Sequence, residues 1–558
     1  MESMEWSLAA VYEAIAAAVP DRDVLVWKDT RRTYAQVATR ARNLAAFLQR
    51  HGIGSRRERS ELERWECGQA TVALILCNCP EYIESMLGCF RARAVPFNVN
   101  QHYRPEEVGS LLDMVGAEAV VYHRALGPLV REAARSRSLV LVDVDDRSGV
   151  APLSGSTSFE DAASNGAGRS NLPVPSPDDL YLVCTGGTTG SPKGVLWRQG
   201  DVFVAAMGGT EGASRDSLMA KASAGAGTWF AAPPLMHAAA QWTAFAGIHS
   251  GATIVLHDDA APFDARTILE TVARERVNFM SIVGDAFARR LIEEMRQRPH
   301  DLGSLHTLAT GGAVTSESCK EALLELLPRI TIVDGYGSSE TGGMAYGASR
   351  RAAPANGFAP REGAAVLAAD RSRFLAPGDE EIGWTARRGR VPLGYLGDRK
   401  RTEETFPIID GQRVAVPGDR ARLTPDGAIV LLGRDSLVVN SGGEKIFVEE
   451  VEEVIRRHPD VIDALVVGRP SDRFGEEVVG IVQLRPEVSL DPFELREFTA
   501  RSIARFKAPR AIAFCQRVHR HASGKGDYQW ARAVAEQAVA ASALAADGAE
   551  TAAAPREL

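Results

Sequence analysis

The feature that most constrains the fold is an alternation of short apolar runs with stretches of helical periodicity. A β-rich run at Ala252–Leu256 is followed by a helical pattern at Ala265–Arg276. A second apolar run at Asn278–Val283 is then followed by another helical pattern at Asp285–Arg296. Repeated β-α-β units of this size give parallel strands whose sheet is covered by helices. We therefore predict an α/β fold with parallel or mixed sheets covered by helices.

The chain is too long for one ordinary domain. It has 558 residues, of which 45% are apolar, whereas a domain takes roughly 100–200 residues. A smaller α/β pattern begins after Gly433, where Val448 and Val451 belong to the apolar stripe of a helix and strand patterns follow. We predict a large N-terminal domain at 1–433 and a small, mobile α/β C-terminal domain at 434–558.

Composition excludes several classes of protein. Lys and Arg total 64 and Asp and Glu total 72, and this net charge of -8 disfavours binding to nucleic acid. No apolar run approaches the ~20 residues of a membrane span, and the N-terminus lacks the pattern of a signal peptide. The 7 cysteines are scattered, which favours a reducing compartment. We expect a cytoplasmic protein without integral membrane association.

A loop rich in glycine and threonine follows an apolar strand at Tyr181–Cys184. Its glycines let backbone N–H groups approach an anion closely, while its hydroxyls and Lys193 add hydrogen-bond donors and positive charge. The loop lacks the Gly-Lys-Ser/Thr of kinase and GTPase P-loops. A flexible hairpin is the alternative, which the concentration of lysine and hydroxyls disfavours. The predicted polyphosphate-binding residues are Thr185, Gly186, Gly187, Thr188, Thr189, Gly190, Ser191 and Lys193.

This loop resembles the phosphate loop of the adenylate-forming superfamily, which includes acyl-CoA synthetases, adenylation domains of peptide synthetases and luciferases. The resemblance covers nearly the whole chain, because Asp334–Gly342, Val416–Asp419 and Ser523–Lys525 match further motifs in order. Trp197-Arg198 and Gly524–Tyr528 are similar to actinobacterial acyl-CoA synthetases of the sterol side-chain type. The resemblance implies ATP, Mg²⁺ and coenzyme A as cofactors and a small-molecule carboxylic acid as substrate. It leaves a homodimer open.

By this resemblance, the segment Asp334–Gly342 holds adenine and the metal. Tyr336 would stack on adenine, and Asp334 would lie near its amino group. Thr341 would contact the α-phosphate, and Glu340 would help to hold Mg²⁺, which prefers oxygen ligands. A glycine- and serine-rich turn capped by the glutamate is the alternative. The residues predicted for this part of the site are Gly312, Ala313, Asp334, Gly335, Tyr336, Gly337, Glu340 and Thr341.

The same resemblance assigns the ribose and coenzyme A contacts. Asp419 would accept both ribose hydroxyls, since a carboxylate can take two donors, although an Asp after Gly is often a turn residue. Arg434 would bind ribose or phosphate. Gly442 and Gly443 would let the pantetheine arm pass beside bare backbone, and Lys445 joins this cofactor-binding set.

The hinge between the two domains departs from the superfamily pattern. In the superfamily the hinge residue is usually an acid or a lysine that lies shortly after the arginine that Arg434 matches. Here that position falls on Ser436, with Asp435 one residue early. We therefore predict a pivot at one of these two residues.

Four residues are predicted to be catalytic. Lys525 would bridge the acid's carboxylate and the phosphate, because a cation between two anions lowers the barrier to their reaction. His237 would lie between the acyl pocket and the coenzyme A tunnel, with a structural strand-end histidine as the alternative. The small side chains of Ala238–Ala240 would leave room for a bulky acid, or serve as helix filler. The predicted catalytic set is Lys525, His237, Lys193 and Glu340.

We expect an ATP-dependent acid–CoA ligase that acts on a large apolar acid of steroid, terpenoid or long-chain type. Transfer to a carrier protein, a single half-reaction and a luciferase-like oxidase remain open, because a fold does not fix a function. A non-catalytic nucleotide-binding protein is disfavoured, since it has no need of Lys525.

Overall fold

A computed structural model describes most of the chain, including the sheets that carry the predicted motifs. The described ranges are 5–134, 137–165, 171–185, 192–261, 263–351, 357–434, 437–441, 444–471, 475–521 and 524–537. Within these ranges the chain forms four sheets covered by helices. This confirms the predicted α/β class with a large N-terminal part and a small C-terminal α/β unit.

The first sheet has nine strands in the described ranges, and its central strands are parallel. The predicted β-α-β units form this parallel core. From one edge to the other, the strands are β16 (Ala359–Pro360), β15 (Gly342–Ser349), β14 (Thr331–Ser338), β13 (Thr307–Gly311), β12 (Phe279–Ile282), β10 (Thr228–Ala231), β11 (Thr253–Leu256), β1 (Asp23–Trp27) and β2 (Thr30–Thr33).

The second sheet has eight strands where the chain is described, and all five residues of Thr71–Ile75 are buried. Such continuous burial is typical of a parallel strand that is covered on both faces. The strands in spatial order are β19 (Gly394–Tyr395), β9 (Lys193–Arg198), β8 (Leu180–Thr185), β4 (Val95–Asn98), β3 (Thr71–Ile75), β5 (Ala117–His123), β6 (Val140–Val144) and β7 (Thr157–Ser158).

Helices pack against these two sheets, and one continuous core joins Val72 and Ala231 of the sheets with Phe245 of a helix. Local sequence sets the helix ends: Thr33 and Gln36 form a capping box at the start of one helix. The helices of this part are α1 (Leu8–Ala18), α2 (Tyr34–Arg50), α3 (Pro80–Arg91), α4 (Pro105–Val115), α5 (Gly127–Ala133), α6 (Phe159–Ser164), α7 (Gln199–Ala205), α8 (Arg215–Ala224), α9 (Ala238–Ile248), α10 (Ala265–Arg274), α11 (Gly284–Gln297), α12 (Glu317–Leu326) and α13 (Arg399–Thr405).

The third sheet is antiparallel and adjoins the edge of the first sheet through the isolated bridge between Phe358 and Ile429. Its Asp419 begins one strand and lies opposite Arg434 at the end of the next. The strands are β17 (Ala364–Leu367), β18 (Gly383–Arg388), β20 (Ile408–Ile409), β21 (Gln412–Ala415), β22 (Asp419–Leu423) and β23 (Ile429–Arg434).

The fourth sheet belongs to the small C-terminal unit and has its own apolar core, which includes Val451 and Val466. A last helix covers residues 528–537. The other elements are β24 (Val438–Ser441), β25 (Glu444–Phe447), α14 (Val448–Arg456), β26 (Val461–Ser471), β27 (Gly475–Leu484), α15 (Pro492–Ser502) and β28 (Ala511–Cys515). The division at 433/434 stays a prediction, because the hinge residues Asp435 and Ser436 lie outside the described ranges.

Candidate active site

The predicted phosphate loop connects two antiparallel strands of the second sheet. Thr185 at the end of β8 lies opposite Lys193 at the start of β9. The pairing places both residues at the same edge of the sheet, where the connection between them begins and ends. The remaining predicted phosphate contacts lie outside the described residues: Gly186, Gly187, Thr188, Thr189, Gly190 and Ser191.

Tyr395, which no sequence motif indicates, joins two predicted catalytic residues. The Lys193 Nζ atom lies 5.4 Å from the centre of the Tyr395 ring. The Tyr395 hydroxyl donates a hydrogen bond to Glu340 Oε1 at 2.9 Å. Burial raises the pKa of Tyr395, and the charge of Glu340 adds to this effect, so the hydroxyl keeps its proton and remains a donor. A neighbouring bond from Trp197 Nε1 to the Ser339 carbonyl, at 2.9 Å, fixes the turn before Glu340.

Glu340 fits the single carboxylate that a nucleotide-bound Mg²⁺ requires. In the described ranges no group of three or more His, Cys, Asp or Glu side chains is arranged to hold a metal. Mg²⁺ commonly takes one or two protein carboxylates and completes its shell with phosphate oxygens and water. The half-buried Glu340, held through one oxygen by Tyr395, matches that donor set.

The third sheet brings the predicted ribose acceptor to the predicted adenine residue. The Tyr336 hydroxyl donates to Asp419 Oδ2 at 2.7 Å and lies 2.9 Å from Thr385 Oγ1. Asp419 is buried, and it follows Gly418, whose φ of 98° places it in the left-handed region that favours glycine. The structure therefore places Tyr336 and Asp419 side by side, although they are far apart in sequence.

Asp334 has a partner that the motif did not indicate. Lys320 on α12 lies 2.5 Å from Asp334 Oδ2 and also contacts Glu317 at 2.9 Å. Burial raises the pKa of Asp334, and Lys320 opposes that effect. Lys320 lies upstream of the motif, so only the register of α12 against β14 reveals the pair. Gly335 lies opposite Gly311 in the parallel pair β13–β14, and a Cβ on Gly311 would lie 2.9 Å from the Gly335 carbonyl oxygen.

Thr341 lies in a tight turn and is fully buried. Its Oγ1 accepts a hydrogen bond from the Ser338 N–H at 3.0 Å and donates to the Gly342 carbonyl at 3.1 Å. This geometry favours a role in holding the turn, while Ser338 and Ser339 are only half-buried. The predicted contact of Thr341 with the α-phosphate stays a prediction. Gly337 in the same turn approaches Gly342 so closely that a Cβ would strike its carbonyl oxygen.

His237 caps the start of α9 and has an unsatisfied buried nitrogen. Its Nε2 atom is buried and makes no hydrogen bond. Burial lowers the pKa of His237 to about 4, and the nearby Lys525 and His102 act in the same direction. The side chain is therefore neutral near pH 7. An unpartnered polar atom in a buried position costs free energy unless a ligand satisfies it, which suits a residue at a substrate pocket.

Lys525 is carried to this site by the small C-terminal unit. Gly524 has a φ of 75° and faces the N-terminal part: a Cβ there would lie 3.1 Å from Val283 Cγ1 and 3.5 Å from Ala313 Cβ. Ala313 belongs to the predicted adenine wall, next to Gly312 with its φ of 77°. Lys525 therefore lies close to both the nucleotide side and His237.

Arg520, which no sequence motif indicates either, shapes the loop that presents Lys525. Its guanidinium donates two hydrogen bonds of 2.7 Å to Asp463 on β26 and one of 3.2 Å to the Gly524 carbonyl. The His521 N–H donates to the Lys525 carbonyl at 2.9 Å. The lysine loop is thus fastened to the fourth sheet.

The predicted coenzyme A contacts are described only in part. Arg434 ends β23 opposite Asp419, and Lys445 lies on β25 opposite Asn440. Gly442 and Gly443 lie outside the described residues. These four assignments stay predictions.

The three alanines after His237 occupy different environments. Ala240 is buried in the main core, Ala238 packs partly against it, and Ala239 is exposed. Ala238 and Ala240 therefore pack against the core, whereas the side chain of Ala239 is exposed.

Two sequence-family patterns match the chain. The AMP-binding enzyme pattern matches residues 12–383, and the AMP-binding enzyme C-terminal domain pattern matches residues 450–525. Medium-chain acyl-CoA ligase Mig of Mycobacterium avium is 45% identical over 544 residues, covering 96% of this chain and 98% of that protein. The 3-oxocholest-4-en-26-oate–CoA ligase of Rhodococcus rhodochrous is 34% identical over 558 residues, covering 95% and 96%.

A solved structure shares the fold. The anthranilate CoA ligase AuaEII, crystallised with anthranoyl-AMP, superposes with a TM-score of 0.78 at 21% sequence identity, covering 96% of this chain and 98% of that one. The resemblance inferred from the motifs is thereby confirmed over both parts of the chain. The chain belongs to the AMP-binding enzyme family of adenylate-forming proteins.

Proposed function

We propose that this protein is an AMP-forming acid–CoA ligase for a large apolar carboxylic acid. The observation that carries the proposal is the position of Lys525, which the C-terminal unit places beside His237 and against the predicted adenine wall. A protein that only binds a nucleotide has no use for a cation presented from a second unit.

The first half-reaction joins the acid to AMP. A carboxylate oxygen attacks the α-phosphorus of ATP, the new P–O bond forms, and pyrophosphate leaves. Lys525 lies between the two anions and stabilises the charge that develops there. Tyr336 and Asp419 hold the nucleoside, and Lys193 binds phosphate oxygens. Glu340 would hold Mg²⁺, which when bound would supply positive charge beside the phosphates.

The second half-reaction transfers the acyl group to coenzyme A. The thiol sulfur attacks the acyl carbon and loses its proton, a C–S bond forms, and the C–O bond to AMP breaks. We assign the C-terminal unit a rotation between the two steps, with the pivot at Asp435 or Ser436. The segment with Gly442, Gly443 and Lys445 then replaces Lys525 at the site. Such a rearrangement lets one small domain serve two half-reactions.

The names of the relatives indicate the class of acid. One is a medium-chain acyl-CoA ligase and another a 3-oxocholest-4-en-26-oate–CoA ligase. We therefore assign a medium- or long-chain fatty acid, or an acid of the steroid side-chain type, to this site. The test is ATP–pyrophosphate exchange across a panel of fatty, steroid, terpenoid, aromatic and amino acids. Exchange only with aromatic or amino acids would contradict the assignment.

The acceptor of the acyl group is tested with the product. Incubation with ATP and the best acid, with either coenzyme A or a phosphopantetheinylated carrier protein, separates the two acceptors. We expect an acyl-CoA thioester. The proposed second half-reaction is wrong if the only product is an acylated carrier protein, or if the acyl-adenylate is never transferred.

Ala239 offers a test of acid size. Because its side chain is exposed next to His237, we assign it to the border of the acyl pocket. Ala239→Leu should lower the ratio of steroid-acid to short-chain turnover by about tenfold, since overpacking costs about 1–3 kcal/mol. Ala240→Ser, in the core, is the control that should leave the ratio unchanged. An unchanged ratio in Ala239→Leu would place the pocket elsewhere.

We propose the cytosol as the compartment of this protein. Whether it forms a homodimer remains open. All seven cysteines are free, in keeping with a reducing compartment. None of the helices in the described ranges is long and apolar enough to cross a membrane.

A further inference from the structure

Asn98 connects the two sheets at the centre of the site. It is the last residue of β4, is only 6% exposed and makes three hydrogen bonds. Its Nδ2 group donates to the carbonyls of Cys184 and Met236, both at 2.7 Å. Its Oδ1 accepts a hydrogen bond from the Cys184 N–H at 2.9 Å. The side-chain amide therefore uses both donors and its acceptor on two separate backbone segments.

One of these segments leads into the predicted phosphate site, and the other leads into the predicted acyl site. Cys184 directly precedes Thr185 and the phosphate loop, and it lies on the second sheet. Met236 directly precedes His237, in the loop that follows β10 of the first sheet. Beside β8, the amide of Asn98 acts like an additional peptide group, since it bonds both the N–H and the C=O of one residue. The remaining donor fastens the acyl-side loop to the same point.

Two neighbouring side chains also hold the acyl-side loop. Asn78 Oδ1 accepts from the Leu235 N–H at 2.6 Å, and Gln241 Nε2 donates to the Leu235 carbonyl at 2.7 Å. Asn78 Nδ2 also lies 3.4 Å from the Pro233 carbonyl. Gln241 Oε1 also accepts a hydrogen bond from the Tyr181 hydroxyl of β8 at 2.7 Å, so Gln241 reaches β8 through a side chain and not through its backbone. Asn98 differs because it bonds the backbone of both segments.

We propose that Asn98 is a positioning residue that sets the distance between the phosphate loop and the acyl-side loop. This inference rests on the proposed function, in which a carboxylate at the acyl side attacks a phosphate at the nucleotide side. The two reactants must lie about 3–3.5 Å apart, and a misplacement of about 1 Å costs about 10²-fold in rate. A buried primary amide with three short bonds meets that requirement better than loop packing alone.

The first test compares three buried asparagines by kinetics. Asn98→Ala should lower the kcat of acyl-adenylate formation by about 10²-fold with little change in the KM for the acid. Asn78→Ala should mainly raise the KM for the acid. Asn43 is the matched control, because it is 4% exposed and its Nδ2 donates to the Ala163 carbonyl at 2.7 Å, away from the site. Asn43→Ala should lose stability without either kinetic change. Equal kinetics in Asn98→Ala and Asn43→Ala would overturn the proposal.

The second test needs no substrate. Hydrogen–deuterium exchange should become faster in peptides 180–185 and 233–238 of Asn98→Ala, only in 233–238 of Asn78→Ala, and in neither for Asn43→Ala. Asn98→Asp keeps an acceptor for the Cys184 N–H but loses both donors, so we expect 233–238 to loosen while 180–185 stays protected. Faster exchange in one peptide alone of Asn98→Ala would refute the coupling. If the wild-type protein forms no acyl-adenylate, the proposed function fails, and this exchange pattern still decides the role of Asn98.

Discussion

Lys193 and Lys525 are assigned to the same phosphate chemistry, but the protein holds them in different ways. Lys193 begins a strand inside the eight-stranded second sheet, opposite Thr185, and its Nζ lies over the ring of Tyr395. Moving Lys193 from this position requires the pairing between β8 and β9 to break. Such contacts make Lys193 a fixed part of the N-terminal site.

Lys525 is carried by a loop of the C-terminal unit. Arg520 and Asp463 hold its loop to the fourth sheet, whereas Gly524 faces Val283 and Ala313 of the N-terminal part. The contrast is that Lys193 belongs to a sheet of the N-terminal part, whereas Lys525 belongs to the separate C-terminal unit that the proposed rotation would move.

The largest expected effect separates the two half-reactions at Lys525. Lys525→Ala should slow acyl-adenylate formation by about 10²- to 10³-fold, because it removes the charge that stabilises the reacting anions. Thioester formation from a supplied acyl-adenylate should stay within a few-fold of wild type. Pyrophosphate release and acyl-CoA formation, measured separately, give the two rates. Lys507→Ala, in the same unit, is the control for loss of a lysine, since Lys507 pairs with Glu450. Equal losses in both half-reactions would make Lys525 structural.

A smaller effect tests how Lys525 docks. Gly524 and Gly411 share a left-handed backbone, with φ of 75° and 73°, but only Gly524 has neighbours within 4 Å of a built Cβ. Alanine at either position should cost a similar amount of stability, about 1–2 kcal/mol. Gly524→Ala should in addition slow adenylation by about tenfold, since it crowds Val283. If Gly411→Ala slows adenylation equally, strain rather than docking is the cause.

Tyr395 tests the fixed side of the comparison. Tyr395→Phe removes the bond to Glu340 but keeps the ring beside Lys193, so the Mg²⁺ concentration for half-maximal adenylation should rise by about tenfold. Glu340→Gln should raise it further, because an amide is a poorer ligand for a hard cation. Tyr122→Phe is the control: its hydroxyl accepts from the Leu153 N–H at 2.8 Å, on another strand. An unchanged metal titration in both site variants would remove Glu340 from the metal.

These contrasts also show which features of the fold and of the site could be predicted from the sequence. The alternation of apolar runs and helical patterns is local, and it predicted α10, α11 and the central strands of the first sheet. The motifs supplied Lys525, Asp419 and Tyr336, because a family preserves residue types at fixed spacing. Sequence alone did not supply Asp334's partner Lys320 or Tyr395, since such pairs arise only when helix and strand registers are set in three dimensions.

Asn98 illustrates the same limit. An asparagine at the end of a strand pattern is an ordinary turn residue in sequence. Its three bonds depend on two sheets that approach each other, and no local pattern records that approach. Likewise, the three alanines after His237 look alike in sequence, and only the orientation of α9 separates the buried Ala240 from the exposed Ala239.

The smallest expected effect is a pH dependence of stability, which His237 causes and Lys525 modifies. Burial lowers the pKa of His237 from its ordinary 6.5 to about 4, with Lys525 as a second cause. Between these values the unfolded chain binds a proton at this position and the folded protein does not. The free energy of unfolding should therefore fall as pH drops from about 6.5 to about 4, with no contribution above that window.

Two variants isolate this contribution. His237→Gln should flatten the loss of stability between pH 6.5 and 4, measured by urea unfolding, because the titrating group is gone. Lys525→Ala should instead narrow the pH range over which stability falls. Removing the nearby cation raises the pKa of His237, although burial still holds that pKa below its ordinary value. His249 is buried with a pKa of about 4 as well, so part of the acid sensitivity should remain in both variants. If Lys525→Ala leaves the pH dependence of wild type unchanged, Lys525 does not lie beside His237 in the free protein, and the docked arrangement forms only when substrates bind.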